Sequence, residues 1–316
     1  MIVLLAALAA LAAPVAGCSV QKFAVRKLAD ALTRGPDVYG TDNDPELVRD
    51  ALPFGLKTLE SLQASAPDHR GLLLALCKGF TTYSFAFVQS DGDLLVNSDY
   101  AKSVTLHQRA LLLYLRARDY GLRGLDKRYS GISLGLKLDP VKAAARIERD
   151  DVPMLYWTSA AWGSAIALGK DQPELLADLP AIRALIDRGL QLDESYEGGA
   201  LHEASIVLDA LPEAMGGSES RARGHFDRAV ALSHDSRPGP YVTLATTVSV
   251  QRQDRAEFRR LLEKALTFDP ERDPPNRLET IVVQRKARAL LDRQDEFFLD
   301  DSTGTAPDTT QTQEKR

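Results

Sequence analysis

The chain has 316 residues, with 39 basic and 44 acidic side chains and a formal charge of −5 at pH 7. Charge this evenly balanced, with no dense Lys/Arg cluster, argues against a nucleic-acid partner, and two Cys in the whole chain rule out a disulfide-built scaffold. The length suffices for one large domain or two smaller ones packed together.

An apolar run from Ile2 to Ala13 leads into Pro14-Val15-Ala16-Gly17-Cys18. It is shorter than the roughly 20 apolar residues that span a bilayer, so residues 1–17 read as a signal peptide. Val15-Ala16-Gly17-Cys18 resembles the lipobox of bacterial lipoproteins, in which the Cys is acylated and becomes the first mature residue. Residue 19 is Ser, not Asp, which by the bacterial sorting rule points to the periplasmic face of the outer membrane.

Helix starts recur along the body, residues 18–300. Asp44-Pro45-Glu46 sets an N-cap Asp, a first-turn Pro and an acid at the positive end of the helix dipole, and Asp139-Pro140 repeats the device. Pro53 is expected to interrupt the first of these helices. Cys77 lies on the apolar face Leu73-x2-Leu76-Cys77-x2-Phe80 and reads as a packing residue. Asp91-Gly92-Asp93 is expected to end that helix. The glycines between Tyr120 and Leu138 read as a domain linker or an inserted loop. Asp254-x-x-Glu257 and Asn276-x-x-Glu279 resemble capping boxes ahead of the last two helices, and the helix from about Asn276 to Phe298 is expected to cap the array with a polar outer face. The residues after Asp300 lack apolar periodicity, so 301–316 reads as a disordered tail.

Three stretches share one ending. They are Ile182-x3-Ile186-x2-Gly189-Leu190, Ala222-x3-Phe226-x2-Ala229-Val230 and Phe258-x3-Leu262-x2-Ala265-Leu266. Their apolar steps fall on one helical face, and the small residue lets a neighbouring helix come close. This resembles the second helix of a tetratricopeptide (TPR) unit, with spacings somewhat above the roughly 34 residues of that repeat. An all-α array of degenerate TPR-like pairs follows, with a concave binding face.

The first helices of such pairs supply that face. Aligning the repeats places Leu74 and Lys78, Tyr156 and Ala160, Leu201 and Ser205, then Thr243 and Thr247 on it, with Tyr83 and Trp157 as aromatic candidates beside them. Lys78 is the one charge in this lining, so a small hydrophobic solute bearing a carboxylate would suit it. Phe80 and Trp162 read as packing aromatics. Chemistry is poorly supported: the five His are scattered, His202-Glu203 lacks the second His of a metalloprotease helix, and no phosphate loop occurs. No catalytic residue, metal or cofactor is expected, and His202-Glu203 reads as a helix-surface pair.

Five phrases in order carry a more specific resemblance. They are Ala51-Leu52-Pro53, Ser65-Ala66-Pro67-Asp68-His69-Arg70-Gly71, Leu115-Arg116-Ala117-Arg118-Asp119-Tyr120-Gly121, Leu155-Tyr156-Trp157-Thr158-Ser159-Ala160-Ala161-Trp162 and Gly198-Gly199-Ala200-Leu201-His202-Glu203. Together with the lipobox they resemble the TatT family, TPR-containing lipoproteins associated with tripartite ATP-independent periplasmic (TRAP) transporters. The resemblance implies an accessory role in solute uptake, pairing with the solute-binding protein, a ligand passage and self-association. The alternative is a TPR scaffold for envelope assembly with no small-molecule site.

If Cys18 is acylated, Cys18→Ala leaves uncleaved precursor or a soluble product. A stable anchor needs more than one acyl chain, so membrane fractionation reads the outcome cleanly, and a variant that still fractionates with membranes refutes the anchor.

Overall fold

The computed structural model describes residues 22–299, and the expected signal peptide, Cys18 and the tail 301–316 lie outside the described residues. Those described build helices only, with no strand among them. A helix over 22–34, α1, precedes α2 (Pro45–Ser65) and α3 (Arg70–Tyr83). A π-helical turn, Ser84–Gln89, carries α3 without a break into α4 (Ser90–Leu95). Then come α5 (Tyr100–Asp126), the short α6 (Ile132–Leu138) and α7 (Pro140–Ala144), and α8 (Val152–Leu168). The one-turn α9 (Pro173–Leu176) leads to α10 (Leu179–Asp193), α11 (Ala200–Asp209) and α12 (Glu219–Leu232). A second π-helical turn, Ala245–Ser249, extends α13 (Gly239–Leu244), and α14 (Arg255–Ala265) and α15 (Arg277–Asp292) complete the chain.

The caps that the sequence marks are formed in part. Asp44 accepts from the N–H groups of Glu46 and Leu47, and Asp254 from that of Glu257 at 2.8 Å. Asn276 makes no such cap. Its amide donates to Asp273 instead, and Glu279 is drawn to another partner described below. α2 runs on through Pro53, and α3 does not end at Asp91-Gly92-Asp93, because the π turn absorbs an extra residue and lets α4 continue. The glycines of 120–126 are helix and not linker. A Cβ at Gly121 would stand 2.2 Å from the Thr158 hydroxyl and one at Gly124 2.4 Å from the Met154 methyl. They are glycine because α5 and α8 cross in contact there.

Helices pair as α3 with α5, α8 with α10, α11 with α12 and α13 with α14. The first two pairs share one core, in which Leu73, Tyr114, Leu155 and Trp162 are almost wholly buried, and the last two share another around Phe258 and Leu262. Trp162 and Phe80 pack as expected, and the indole N–H of Trp162 donates to Asp178 at 3.0 Å. Cys77 is fully buried, and burial pushes its thiol up to about 12. Buried carboxylates join the pairs: Asp151 accepts from Arg70 and Tyr129, and Asp209 from Arg183 and Arg221. A lone buried carboxylate would be costly, and each of these is matched by guanidinium groups.

The array closes on itself. Helix α15 keeps the expected polar outer face, with Arg285, Arg288 and Asp292 exposed, yet its apolar residues are covered on two sides rather than one. Val283 and Ala287 lie in the second core, while Leu278 and Val282 enter a third core with Val48, Leu52 and Leu56 of α2. Polar contacts fix the join at both ends: the Leu278 N–H donates to Gly40 O and Arg277 to Thr41 O, each at 3.0 Å, Arg285 pairs with Glu46, and Arg293 donates to Asp93 O.

Leu278→Ala should therefore lower the unfolding free energy by about 2–5 kcal/mol, the range for emptying a buried leucine site. Arg285→Ala, which removes an exposed ion pair, should change it by about 1 kcal/mol or less. Urea unfolding monitored by circular dichroism compares the two, and equal effects would contradict a seam held by apolar burial.

Candidate functional site

Closure gathers the inner sides of α3, α8, α11, α13 and α15 into one inward-looking face. Its lining is marked by side chains that are neither sealed in a core nor freely exposed: Leu74 and Lys78, Tyr156 and Ala160, Thr243 and Thr247. Tyr156 and Glu203 are surrounded by protein, yet each keeps some accessible surface.

Several residues expected on this face stand elsewhere. Leu201 is fully buried against Gly189, where a Cβ would lie 2.8 Å from it, and the Ser205 hydroxyl, 4% exposed, is turned back onto Leu201 O. The aligned repeats place the face of α11 two residues too early, and two residues turn a helix by about 200°. Glu203 is the residue presented. Tyr83 lies on the far side of α3, against Phe87, with Arg109 over its ring. Lys78 is not a free cation. Its ammonium donates to Asp37 at 2.7 Å and sits 5.4 Å from the Trp157 ring. Burial opposes ionisation of Asp37, but the bonds from Lys78 and the Gly40 N–H hold its carboxyl below the usual range.

The charge on this face comes from residues that sequence reasoning missed. Arg237, 6% exposed, lies in the turn before α13 and donates to Glu279 of the first turn of α15 and to Glu197 O. Glu203, in the first turn of α11, accepts from the Thr243 hydroxyl at 3.0 Å. Gly239 opens α13 beside it, and a Cβ there would come within 2.6 Å of the Glu203 carboxylate. Local backbone geometry makes the meeting possible. Glu197, Gly198 and Gly199 all have positive φ, and a Cβ at Gly199 would also press on Ala229 Cα at 3.1 Å. This turn starts α11 and aims the Glu197 carbonyl at Arg237. The Gly198-Gly199-Ala200-Leu201-His202-Glu203 phrase is the sequence signal for it. Arg237 has no comparable signal, since it lies outside the repeat pattern.

His202 faces the other way. Its Nδ1 is 2.8 Å from Nδ1 of His225 on α12, and burial lowers both imidazoles. The adjacent His202-Glu203 pair is thus divided between two environments, and neither residue is a plain surface group.

Burial is the strongest influence on Glu203 and raises its carboxyl to about 7; Glu279 pushes the same way, and Arg237 and Thr243 hold it down. Burial also raises Tyr156. The Tyr156 ring meets Trp157 edge-on at 5.2 Å and Tyr196 at 5.4 Å, forming an aromatic wall next to the charges. Arrayed this way, the site offers carboxylate oxygens, a buried guanidinium and aromatic faces, with a threonine-lined stretch beyond them.

The chain is similar to known proteins over most of its length. A family model described as TAtT, TRAP transporter T-component, matches residues 41–298. An uncharacterized protein of Treponema pallidum (strain Nichols) is 31% identical over 304 residues, covering 90% of this chain and 94% of its own.

The Glu203 environment fixes a sign for pH. Its folded-state affinity for a proton exceeds that of the unfolded chain, so between the ordinary carboxylate range and about 7 stability falls as pH rises. Glu203→Gln removes this loss. Relative to wild type, the Tm of the variant should rise between pH 5 and pH 8, and a difference independent of pH would mean that Glu203 does not ionise in a buried setting.

Proposed function

The chain belongs to the TRAP transporter T-component family, and from that premise we propose that it is a lipid-anchored periplasmic subunit that docks the solute-binding protein and holds a small ligand in its inner space during uptake. The observation that carries this reading is the closure by α15. We read it as turning an open groove into an enclosed space, with partly accessible aromatic, threonine and carboxylate groups on its inward side in support.

Such sites draw affinity from apolar burial and orientation from a few polar groups. Tyr156, Trp157 and Ala160 supply the first, and Thr243, Thr247, Glu203 and Arg237 the second. Lys78, tied to Asp37, orients Trp157 and closes the wall on the α3 side. Leu201 and Ser205 support α11 from behind. The space is proposed to pass or store solute for the binding protein, and the lipidated Cys18 holds the subunit at the periplasmic face of the outer membrane. Self-association is part of the same proposal.

Ala160→Trp places a bulky ring into the space one turn beyond Tyr156. Uptake through a reconstituted cognate TRAP system should drop sharply while far-ultraviolet circular dichroism stays helical, at a stability cost of about 1–3 kcal/mol for overpacking. Co-purification with the solute-binding protein should persist, because docking uses the outer surface. A folded Ala160→Trp protein that supports wild-type uptake would falsify the passage.

A further inference from the structure

The segment between α5 and α8 carries apolar surface that the array leaves uncovered. From Ile132 to Leu138 every second residue is apolar, Ile132, Leu134, Leu136 and Leu138, and two residues turn a helix by about 200°. As a helix, α6 therefore has apolar side chains on opposite faces. Ile132 and Leu136 take the inner face and are sealed in the first core. Leu134 and Leu138 remain outside, one turn apart and 63% and 76% exposed, and Val141 at the start of α7 is 72% exposed. Helix α7 turns its other side to α6: Ala143 and Ala144 are buried, and a Cβ at Gly135 would come 3.1 Å from that of Ala143. Exposed leucines are ordinary when scattered singly, and three large aliphatic side chains within eight residues are not.

The charges around them say what covers them. In residues 134–146, Lys137, Lys142 and Arg146 stand against one carboxylate, Asp139, which caps α7 by accepting from the Lys142 N–H at 3.2 Å. Both lysines are exposed, Arg146 donates to the neutral Ser130 O at 3.1 Å, and the nearby Glu148 is matched by Arg128. The start of α1 has the same character. Phe23 and Leu28 are exposed there among exposed Lys22, Arg26 and Lys27, with the Lys27 ammonium 5.6 Å from the Phe23 ring. Both places lie at one edge of the array. Asp68, in the turn between α2 and α3, accepts from Lys127 at the end of α5 and stands close enough to Arg26 to feel its charge. His69 beside it is 3.3 Å from Asp30 of α1. Cys18 precedes Lys22 by four residues, at most about 14 Å of extended chain.

Apolar side chains among unmatched cations suit a surface that is apolar within and negative outside, which an anionic bilayer is. A second copy of this chain, docked symmetrically, would bring cations against cations. We propose that this edge rests on the membrane, with Leu134, Leu138 and Val141 entering the headgroup boundary of an anionic phospholipid surface and Lys137, Lys142 and the cations of α1 meeting its phosphates. Only the place of Cys18 depends on the anchored reading given above. A few aliphatic side chains and cations bind weakly and let go as salt rises, so the patch orients an anchored subunit and does not hold a free one.

The mature chain with Cys18→Ser, which carries no acyl group, tests this by flotation with vesicles of phosphatidylethanolamine and phosphatidylglycerol, and with vesicles of phosphatidylcholine. It should partition at least about tenfold more strongly onto the anionic vesicles at low salt, and be released at about 0.5 M salt. Leu134→Asp with Leu138→Asp should lower that partition about tenfold or more, and Lys137→Glu with Lys142→Glu should erase the preference for anionic lipid. Phe54→Asp, at an exposed site in the middle of α2, should change nothing. All five positions are exposed, and circular dichroism checks that the variants stay folded. In the acylated protein, a polarity-sensitive fluorophore on Leu138→Cys should shift to the blue on vesicles and one on Phe54→Cys should not, while Cys77, fully buried, stays unlabelled. Undiminished partition of the double aspartate variant overturns the proposal. A Leu138→Cys label that stays in water on bound, acylated protein does the same and leaves the anchor standing, whereas vesicle binding by the Cys18→Ser chain supports the patch whether or not Cys18 is acylated. If the Cys18→Ser chain avoids vesicles and forms oligomers that the double aspartate variant breaks, the patch joins copies of this chain and the membrane proposal falls.

Discussion

Burial of Leu278 and Val282 in the amino-terminal core is the interaction on which the rest of this structure depends. A stack of helix pairs has two ends, and each end must expose an apolar face or cover it with a polar cap. Here α15 is apolar on two sides and joins the ends to one another. Each buried side chain of this size contributes about 1.5–3 kcal/mol. The backbone bonds to Gly40 and Thr41 then set the register at which α15 meets the turn before α2.

Closure also fixes the electrostatics inside. The first turns of α11 and α15 and the turn before α13 converge, which brings two carboxylates and one guanidinium into a small volume walled by Tyr156. In an open groove these groups would be hydrated and would titrate as surface residues. Packed together, they acquire a raised carboxyl at Glu203. Left-handed backbone at Glu197, Gly198 and Gly199 is tolerated at this place because it aims the Glu197 carbonyl at Arg237.

By itself the sequence determined the elements and much of the packing. Apolar steps of four and three, small residues at the crossing points and Asp caps are local signals, because helix geometry repeats every 3.6 residues and caps act within one turn. Hence the all-α fold, the helix pairs and the buried places of Phe80, Cys77 and Trp162 were legible. The glycines at 121 and 124 were visible but ambiguous, since a glycine that admits a neighbouring helix looks the same in sequence as one that breaks a helix. Only the tertiary structure decided that α15 closes the array, that Glu203 and not Leu201 faces inward, that Lys78 is held by Asp37, and that Arg237 pairs with Glu279. These pairs are separated by about 40 residues or more along the chain, and their meeting follows from how the helix pairs stack and close; no periodicity within a single helix encodes it.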